Sequence, residues 1–201
     1  MLFHYHYWTP YLEETERFYT KLGFTVHQRI GRLNGSFQSF NPPLAWEDFR
    51  ENTPLFRIIE MKKGKINVTV GYGKKVIFDH IGFFVSKEEH RMVCGKARNL
   101  GWKVEEDERR TFLSTPYGFR IELQTHLDVL ASGDAAIEEM VICVSKEGLE
   151  KDINHLFNKD VPVFSVMDEE SKLHQVVLNG IGNGMDPNGV RLSDTKKESV
   201  N

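Results

Sequence analysis

Two short stretches constrain this chain more than any other feature. "FFVSKEE" (83–89) and "ICVSKEG" (142–148) share V-S-K-E, with Ser86 and Ser145 standing 59 positions apart. Each follows an apolar strand-like run and leads into a helical pattern, which is the signature of an internal repeat. Ser86 is a good N-cap, and Glu89 is placed to complete a capping box. The helix it opens ends near Leu100, where Gly101 supplies a left-handed residue. After Ser145, Leu149, Ile153, Leu156 and Phe157 form one apolar stripe at helical spacing.

The first line has the same grammar. "FHYHYW" (3–8) reads as a strand, Thr9-Pro10 as an N-cap with proline at the first helical position, and "YLEETERFYTKLG" (11–23) as a helix. Glu13 and Glu14 in its first turn and Lys21 in its last complement the helix dipole. Strand-like runs follow each helix: "FTVHQRI", "GSFQSF", "LFRIIEM" and "KINVTVGYG", then "WKVEED", "RTFLSTP" and "FRIELQTH", then "VPVFSVMD", "LHQVVLNGI" and "GVRLSD". The expected fold is α+β, built from β-α-β-β-β modules of about 60 residues. Modules 1–75 and 76–126 pair across their bare faces around a shared cup. Residues 127–136 form a linker, 137–195 a third, degenerate module, and 196–201 a disordered tail.

Composition narrows the function classes. A net charge of −3 with no basic stripe gives nucleic acid no electrostatic footprint. No apolar run approaches the roughly 18 residues that span a bilayer, and the N-terminus lacks the pattern of a signal peptide. Cys94 and Cys143 are too isolated for a disulfide scaffold. The expectation is a cytoplasmic protein with reduced thiols and a small-molecule partner.

"HYHYWTPYLEETERFYTKLGF" resembles the opening of a vicinal-oxygen-chelate protein, of the glyoxalase/bleomycin-resistance/extradiol-dioxygenase superfamily: His4, then Phe18-Tyr19, then Leu22-Gly23-Phe24. "DHIGFFVS" (79–86) resembles the first strand of that family's second module, and "TPYGFRIEL" (115–123) its ending. These matches cover about residues 1–126. The resemblance implies metal ligands on the first and last strands of each module, pointing into the cup.

In the second module that implies His80 and Glu122. Strand alternation agrees, sending His80, Gly82 and Phe84 to one face and Ile81, Phe83 and Val85 to the other, with Arg120, Glu122 and Gln124 opposite Ile121 and Leu123. In the first module the family spacing from Phe18-Tyr19 lands on His4. His6 shares its face, with Trp8, and is the reserve ligand, while Phe3, Tyr5 and Tyr7 take the opposite face. For the fourth position, Asn67 in "INV" is placed where "IEL" carries Glu122, and Glu60 in "IIEM" falls on the preceding strand of a hairpin turning at Lys63-Gly64. Should Glu60 face the cup instead, a glyoxalase-type four-ligand set returns.

His4, His80 and Glu122 leave coordination positions open, as non-haem Fe(II) oxygenases require. The resemblance therefore implies a divalent transition metal, Fe(II) first, with Mn(II), Ni(II) and Zn(II) as the other candidates. It implies a metal-dependent oxidoreductase of the extradiol-dioxygenase type, or a lyase, acting on a small substrate with vicinal oxygens. The alternatives are a glyoxalase-I-type lyase, a thiol transferase, or a metal-free binding protein of the bleomycin-resistance type. A flat ligand in that last case is expected between Trp8, Phe84 and a lid formed by "NPPLAWEDFRENTP" (41–54), with Trp46 on the lid; a surface loop is the other reading of that segment. Arg120, Gln124 and Asn67 are further substrate-binding candidates.

In the third unit, Glu139 and Arg191 occupy the positions of His80 and Glu122, so no metal site is expected there. With one face uncovered, that unit is expected to pair with a second copy in a homodimer. "GIGNGMDPNG" (180–189) reads as a hairpin turn rather than a phosphate loop, and Cys94 as a packed thiol rather than a nucleophile.

Overall fold

In the computed structural model, residues 1–195 are described. The chain runs β1 (Leu2–Thr9), α1 (Leu12–Lys21), β2 (Thr25–Leu33), β3 (Ser36–Ser39), β4 (Leu55–Lys63), β5 (Ile66–Tyr72), β6 (Ile77–Phe84), α2 (Lys87–Asn99), β7 (Lys103–Glu106), β8 (Thr111–Ser114) and β9 (Arg120–Gln124). There follow β10 (Ala136–Val144), α3 (Leu149–Phe157), β11 (Val163–Met167), β12 (Lys172–Asn179), β13 (Gly184–Met185) and β14 (Arg191–Asp194). The tail expectation for 196–201 lies outside the described residues.

The capping box at α2 forms as its residues dictate: Ser86 Oγ accepts from the Glu89 amide at 3.1 Å, and the Glu89 carboxylate accepts from the Ser86 amide at 3.0 Å. At α1 the expected cap is corrected. The helix begins two residues later, at Leu12, and Thr9 Oγ1 instead accepts from the Tyr11 amide at 3.0 Å, within the turn.

Nine strands form one sheet in the order β3-β2-β4-β5-β1-β6-β9-β8-β7. Parallel pairs β1·β5 and β6·β9 flank an antiparallel β1·β6 junction. With the extra edge strand β3 set aside, both halves use the same internal order, first strand, fourth, third, second, and they meet along their first strands. One face is apolar, with Tyr5, Tyr7, Ile59, Val68, Val70, Ile81 and Ile121 buried beneath the helices and the second sheet. The opposite face carries His4, His6, His80 and Glu122.

The third unit has the expected element order but a different pairing. Its sheet runs β11-β10-β12-β14-β13, so the strand after the helix lies parallel beside the first one. β12 stands between β10 and β14, which separates Glu139 from Arg191. This sheet packs on the back of the nine-stranded one, within the same chain. Phe83 and Phe157 rings meet at 4.4 Å, Tyr19 donates to the Asp186 carboxylate at 3.0 Å, and Asn188 Nδ2 donates to Thr15 Oγ1 at 3.2 Å. One face of this sheet, carrying Met140, Ile142 and Val176, is buried, while Phe164 and Val166 on the other face stay about half exposed, which leaves a face for the pairing with a second copy that the sequence suggests.

Segment 41–54 is not a lid. Trp46 Nε1 donates to Glu16 at 3.0 Å, and its ring packs on Phe49 and Phe56 on the helix side of the sheet. A buried bidentate pair holds it there. Arg29 donates through Nε and Nη2 to the two oxygens of Glu16, each at 2.7 Å, and through Nη1 to the carbonyls of Phe40 and Leu44. The loop is tucked onto the back of the first module.

Candidate metal centre

The β1·β6 junction brings three side chains from three strands to one point. His4 Nε2 and His80 Nε2 lie 3.0 Å apart, His80 Nε2 is 2.9 Å from Glu122 Oε2, and His4 Nε2 is 3.7 Å from the same oxygen. These three residues form the one metal-competent His/Cys/Asp/Glu group among the described residues. All are buried, on the floor of a cup of about 790 Å³.

The orientation of both imidazoles is fixed from behind. His4 Nδ1 donates to the Asn67 carbonyl at 2.9 Å, and His80 Nδ1 donates to the Asp79 carboxylate at 2.6 Å. Each ring therefore turns its Nε2 toward the shared point, as metal-ligating histidines do. Asp79 is held in turn by Arg120, whose guanidinium stacks 4.2 Å from the Phe112 centroid. Glycine at position 82 makes room for this: a Cβ there would stand 2.7 Å from His4 Cβ.

Burial pushes the His4 imidazole down to about 4, only partly opposed by Glu122. At His80 burial acts in the same sense but is outweighed by Asp79 and Glu122, so its value rises. Burial would raise the Glu122 carboxyl, yet the hydrogen bond from His80 and the charges of both histidines hold it at about 2. The site thus presents a carboxylate and imidazoles whose outer nitrogens converge. Two ligands about 2.1 Å from one ion and at right angles lie about 3.0 Å apart, which matches two of the three separations. The donor set fits a divalent transition metal.

The remaining candidates fall into place around this cluster. His6 stacks on His80, ring centroids 5.0 Å apart, with Nδ1 on Thr69 Oγ1 at 2.6 Å; its Nε2 is buried without a partner. Burial, with His80 and His4 beside it, keeps that ring well below its ordinary value and neutral. Glu60 lies on β4 and does line the cup, but there it accepts from Asn67 Nδ2 at 2.8 Å and pairs with Lys62 at 3.3 Å, and it is not part of the three-residue ligand group. Gln124 Nε2 donates to Glu122 at 2.8 Å and leaves its own Oε1 unpartnered. Trp8, Asn67, Arg120 and Gln124 line the cup; Phe84 and Trp46 do not.

Strand register corrects the fourth position. His4 faces Asn67 and His6 faces Thr69, while His80 faces Arg120 and Gly82 faces Glu122. Relating the halves by His4 to His80 makes Thr69, not Asn67, the counterpart of Glu122. Asn67 corresponds to Arg120.

Three cup residues escaped strand alternation for one reason. The β1·β6 register skips Phe3 and Asp79, and the β2·β4 register skips Arg57. Each is the extra residue of a β-bulge, which turns an otherwise outward side chain toward the site. Phe3 then lies over Gly82 and closes that end of the cup, leaving Phe84, two residues on, outside it. The linker completes the wall: Lys62 Nζ donates to the Asp128 carbonyl at 2.7 Å and Asn67 Nδ2 to the Val129 carbonyl at 3.0 Å.

Solved structures with a similar fold include several dioxygenases. The 2,3-dioxygenase LapB from Pseudomonas sp. KL28 superposes with a TM-score of 0.64 at 13% identity, over 96% of this chain and 90% of that one. The 2,2',3-trihydroxybiphenyl 1,2-dioxygenase of Sphingomonas wittichii strain RW1 gives 0.64 at 10% identity, over 96% and 90%. Homoprotocatechuate 2,3-dioxygenase from Arthrobacter globiformis gives 0.62 at 8%, over 96% and 79%. No protein-family model matches the sequence, and no curated protein does. Among the described residues no helix is long and apolar enough to cross a membrane.

Proposed function

We propose that this chain is a divalent-metal-dependent enzyme of the extradiol-dioxygenase type, acting on a small substrate with vicinal oxygens. One observation carries the reading: three ligand atoms within 4.8 Å of one another on the floor of an open cup, in a fold shared with ring-cleaving dioxygenases. A divalent metal bound there supplies Lewis acidity and open coordination positions for two adjacent substrate oxygens. His4, His80 and Glu122 hold it, and the Asn67 carbonyl and Asp79 keep the two rings aimed. Phe3 and Phe112 form apolar walls that exclude water from a flat substrate ring. His6, whose buried Nε2 has no partner, is the side chain placed to hydrogen-bond a substrate hydroxyl. Glu60 is committed to Lys62 and Asn67, which leaves the three-ligand readings ahead of a glyoxalase-type four-ligand site.

The test is metal analysis of protein purified without chelator, followed by anaerobic loading with Fe(II) and measurement of oxygen uptake over a panel of catechols. One metal per chain, lost in His80→Ala and Glu122→Ala, with uptake that depends on it, is the expected result. Metal without oxygen uptake points instead to the lyase or thiol-transferase readings. A chain that takes up none of Fe(II), Mn(II), Ni(II) and Zn(II) overturns the proposal and leaves a metal-free binding protein.

A further inference from the structure

The wall of the cup opposite Phe112 has a feature the metal cluster does not use. Arg57 is the extra residue of a bulge in β4: Ile30 faces Ile58 and Gly31 faces Phe56, so Arg57 has no partner across the strand and joins Ile58 in lining the cup. Its guanidinium lies 4.3 Å from the ring centroid of Trp8. That indole is seated, not loose. Trp8 faces Gly71 in the β1·β5 register, and a Cβ at Gly71 would stand 2.4 Å from Trp8 Cζ3, while one at Gly73 would stand 2.9 Å from Trp8 Cβ. The two glycines cut a slot in which the ring lies against β5 and presents a face to Arg57.

Charge pairing leaves two cup cations, Arg57 and Arg110, without a carboxylate partner among the described residues, and Arg57 has the closer aromatic platform. Of the five cations lining the cup, Lys62 pairs with Glu60, Arg109 with Asp128 and Arg120 with Asp79. Arg110 packs 5.5 Å from the Phe112 centroid on the β7–β8 rim. Arg57 has an aromatic platform beneath it and no carboxylate partner among the described residues. A guanidinium stacked on an indole keeps its N–H edge free, in the planar geometry that matches a carboxylate.

We propose that Arg57 on Trp8 forms a second anchor in the cup, a subsite for an anionic group, so that the substrate joins an acidic arm to its vicinal-oxygen end. The inference rests on the functional reading above and adds its substrate class. The two anchors are linked by ring contacts, His80 to His6 at 5.0 Å and His6 to Trp8 at 4.7 Å. Four residues of strand separate His4 from Trp8, about 13 Å, so the arm is several atoms long. A cup of about 790 Å³ has room for it, being several times larger than a single aromatic ring.

The probes are 3-phenylpropionate and the neutral 3-phenylpropionamide, which carry the arm without vicinal oxygens. Each is titrated by calorimetry into the protein as purified and again after metal loading. Because Arg57 is solvent-accessible, the preference for the acid is about five- to tenfold rather than larger. Arg57→Met equalises the two probes, Arg57→Lys restores part of the preference, and Arg32→Met, on an exposed arginine outside the cup, leaves it intact. Equal or absent binding of the two probes to the wild type, or an unchanged preference in Arg57→Met, overturns the anchor. The two failures are separable. A chain that takes no metal but prefers the acid refutes the metal reading alone, and a metal-loaded chain with no preference refutes the anchor alone.

Discussion

Gly82→Ala puts one methyl group at the narrowest point of the β1·β6 junction. The new Cβ would stand 2.7 Å from His4 Cβ and 3.0 Å from both His4 Cδ2 and Phe3 Cε1. Carbon atoms in contact sit about 3.5–4.0 Å apart, so β1 must withdraw by the better part of an ångström. The atom struck is a Cβ, rigidly tied to backbone, so a rotamer change cannot relieve it. Overpacking of this kind costs about 1–3 kcal/mol, here at the upper end, while the stiffer unfolded chain returns about 0.7 kcal/mol. The expected net loss is about 2 kcal/mol in urea unfolding. A shift of more than about 0.5 Å also takes His4 out of productive geometry, so Mn(II) affinity, read by competition with a chromophoric chelator, falls at least about tenfold. Gly95→Ala is the internal control. It lies in α2 with nothing within 4 Å of the new atom, so the substitution stabilises by about 0.5–1 kcal/mol and leaves metal binding alone. If Gly82→Ala proves as stable as wild type and binds Mn(II) equally well, the packing account of the site is wrong.

Further outcomes follow from other contacts. Asp79→Asn, which weakens the grip on His80 Nδ1 without touching a ligand atom, is expected to lower metal affinity about 10- to 100-fold in the same competition assay, with folding stability changed far less. Arg29→Met strands the buried Glu16 carboxylate and is expected to cost about 3–5 kcal/mol in chemical unfolding, while Mn(II) affinity per folded chain stays unchanged. In the metal-free protein, the Glu122 carboxyl is depressed from 4.5 to about 2. Its contribution is complete above pH 4.5 and is lost as pH falls toward 2, at most about 3 kcal/mol. Glu122→Gln should therefore flatten the acid limb of the stability–pH curve over that window, and an unchanged limb would show that the carboxylate is not held by the histidines.

What sequence could and could not show divides along physical lines. The repeated strand–helix pattern was legible because V-S-K-E marks a strand end in both copies and, at Ser86, a capped helix start; at the second copy α3 begins after Gly148 with no side-chain cap. His4, His80 and Glu122 were legible because the residues that follow each histidine, and those that flank Glu122, keep the alternation; the bulges fall one position before His4 and His80. Phe3, Asp79 and Arg57 were not, because a bulge inserts one residue and cancels the period-two rule at the residue it re-aims. Thr69 was displaced by two from its expected counterpart, since register depends on pairing between strands far apart in the chain. Trp46 looked like a lid because nothing local reveals that Arg29 and Glu16 draw its loop to the far side. The third unit misled in a similar way: its element order repeats, but order does not specify which strand becomes whose neighbour.

The approximate two-fold relation between the halves also acts as a template for altering the centre. Thr69 occupies the place that Glu122 holds in the other half, with its hydroxyl 3.5 Å from His4 Nε2. A carboxylate there would symmetrise the cluster to two imidazoles and two carboxylates. It would add negative charge and fill a vacant coordination position. One threonine therefore separates a three-ligand cluster from a four-ligand one, and Thr69→Glu is expected to hold a divalent ion more tightly than the wild type does.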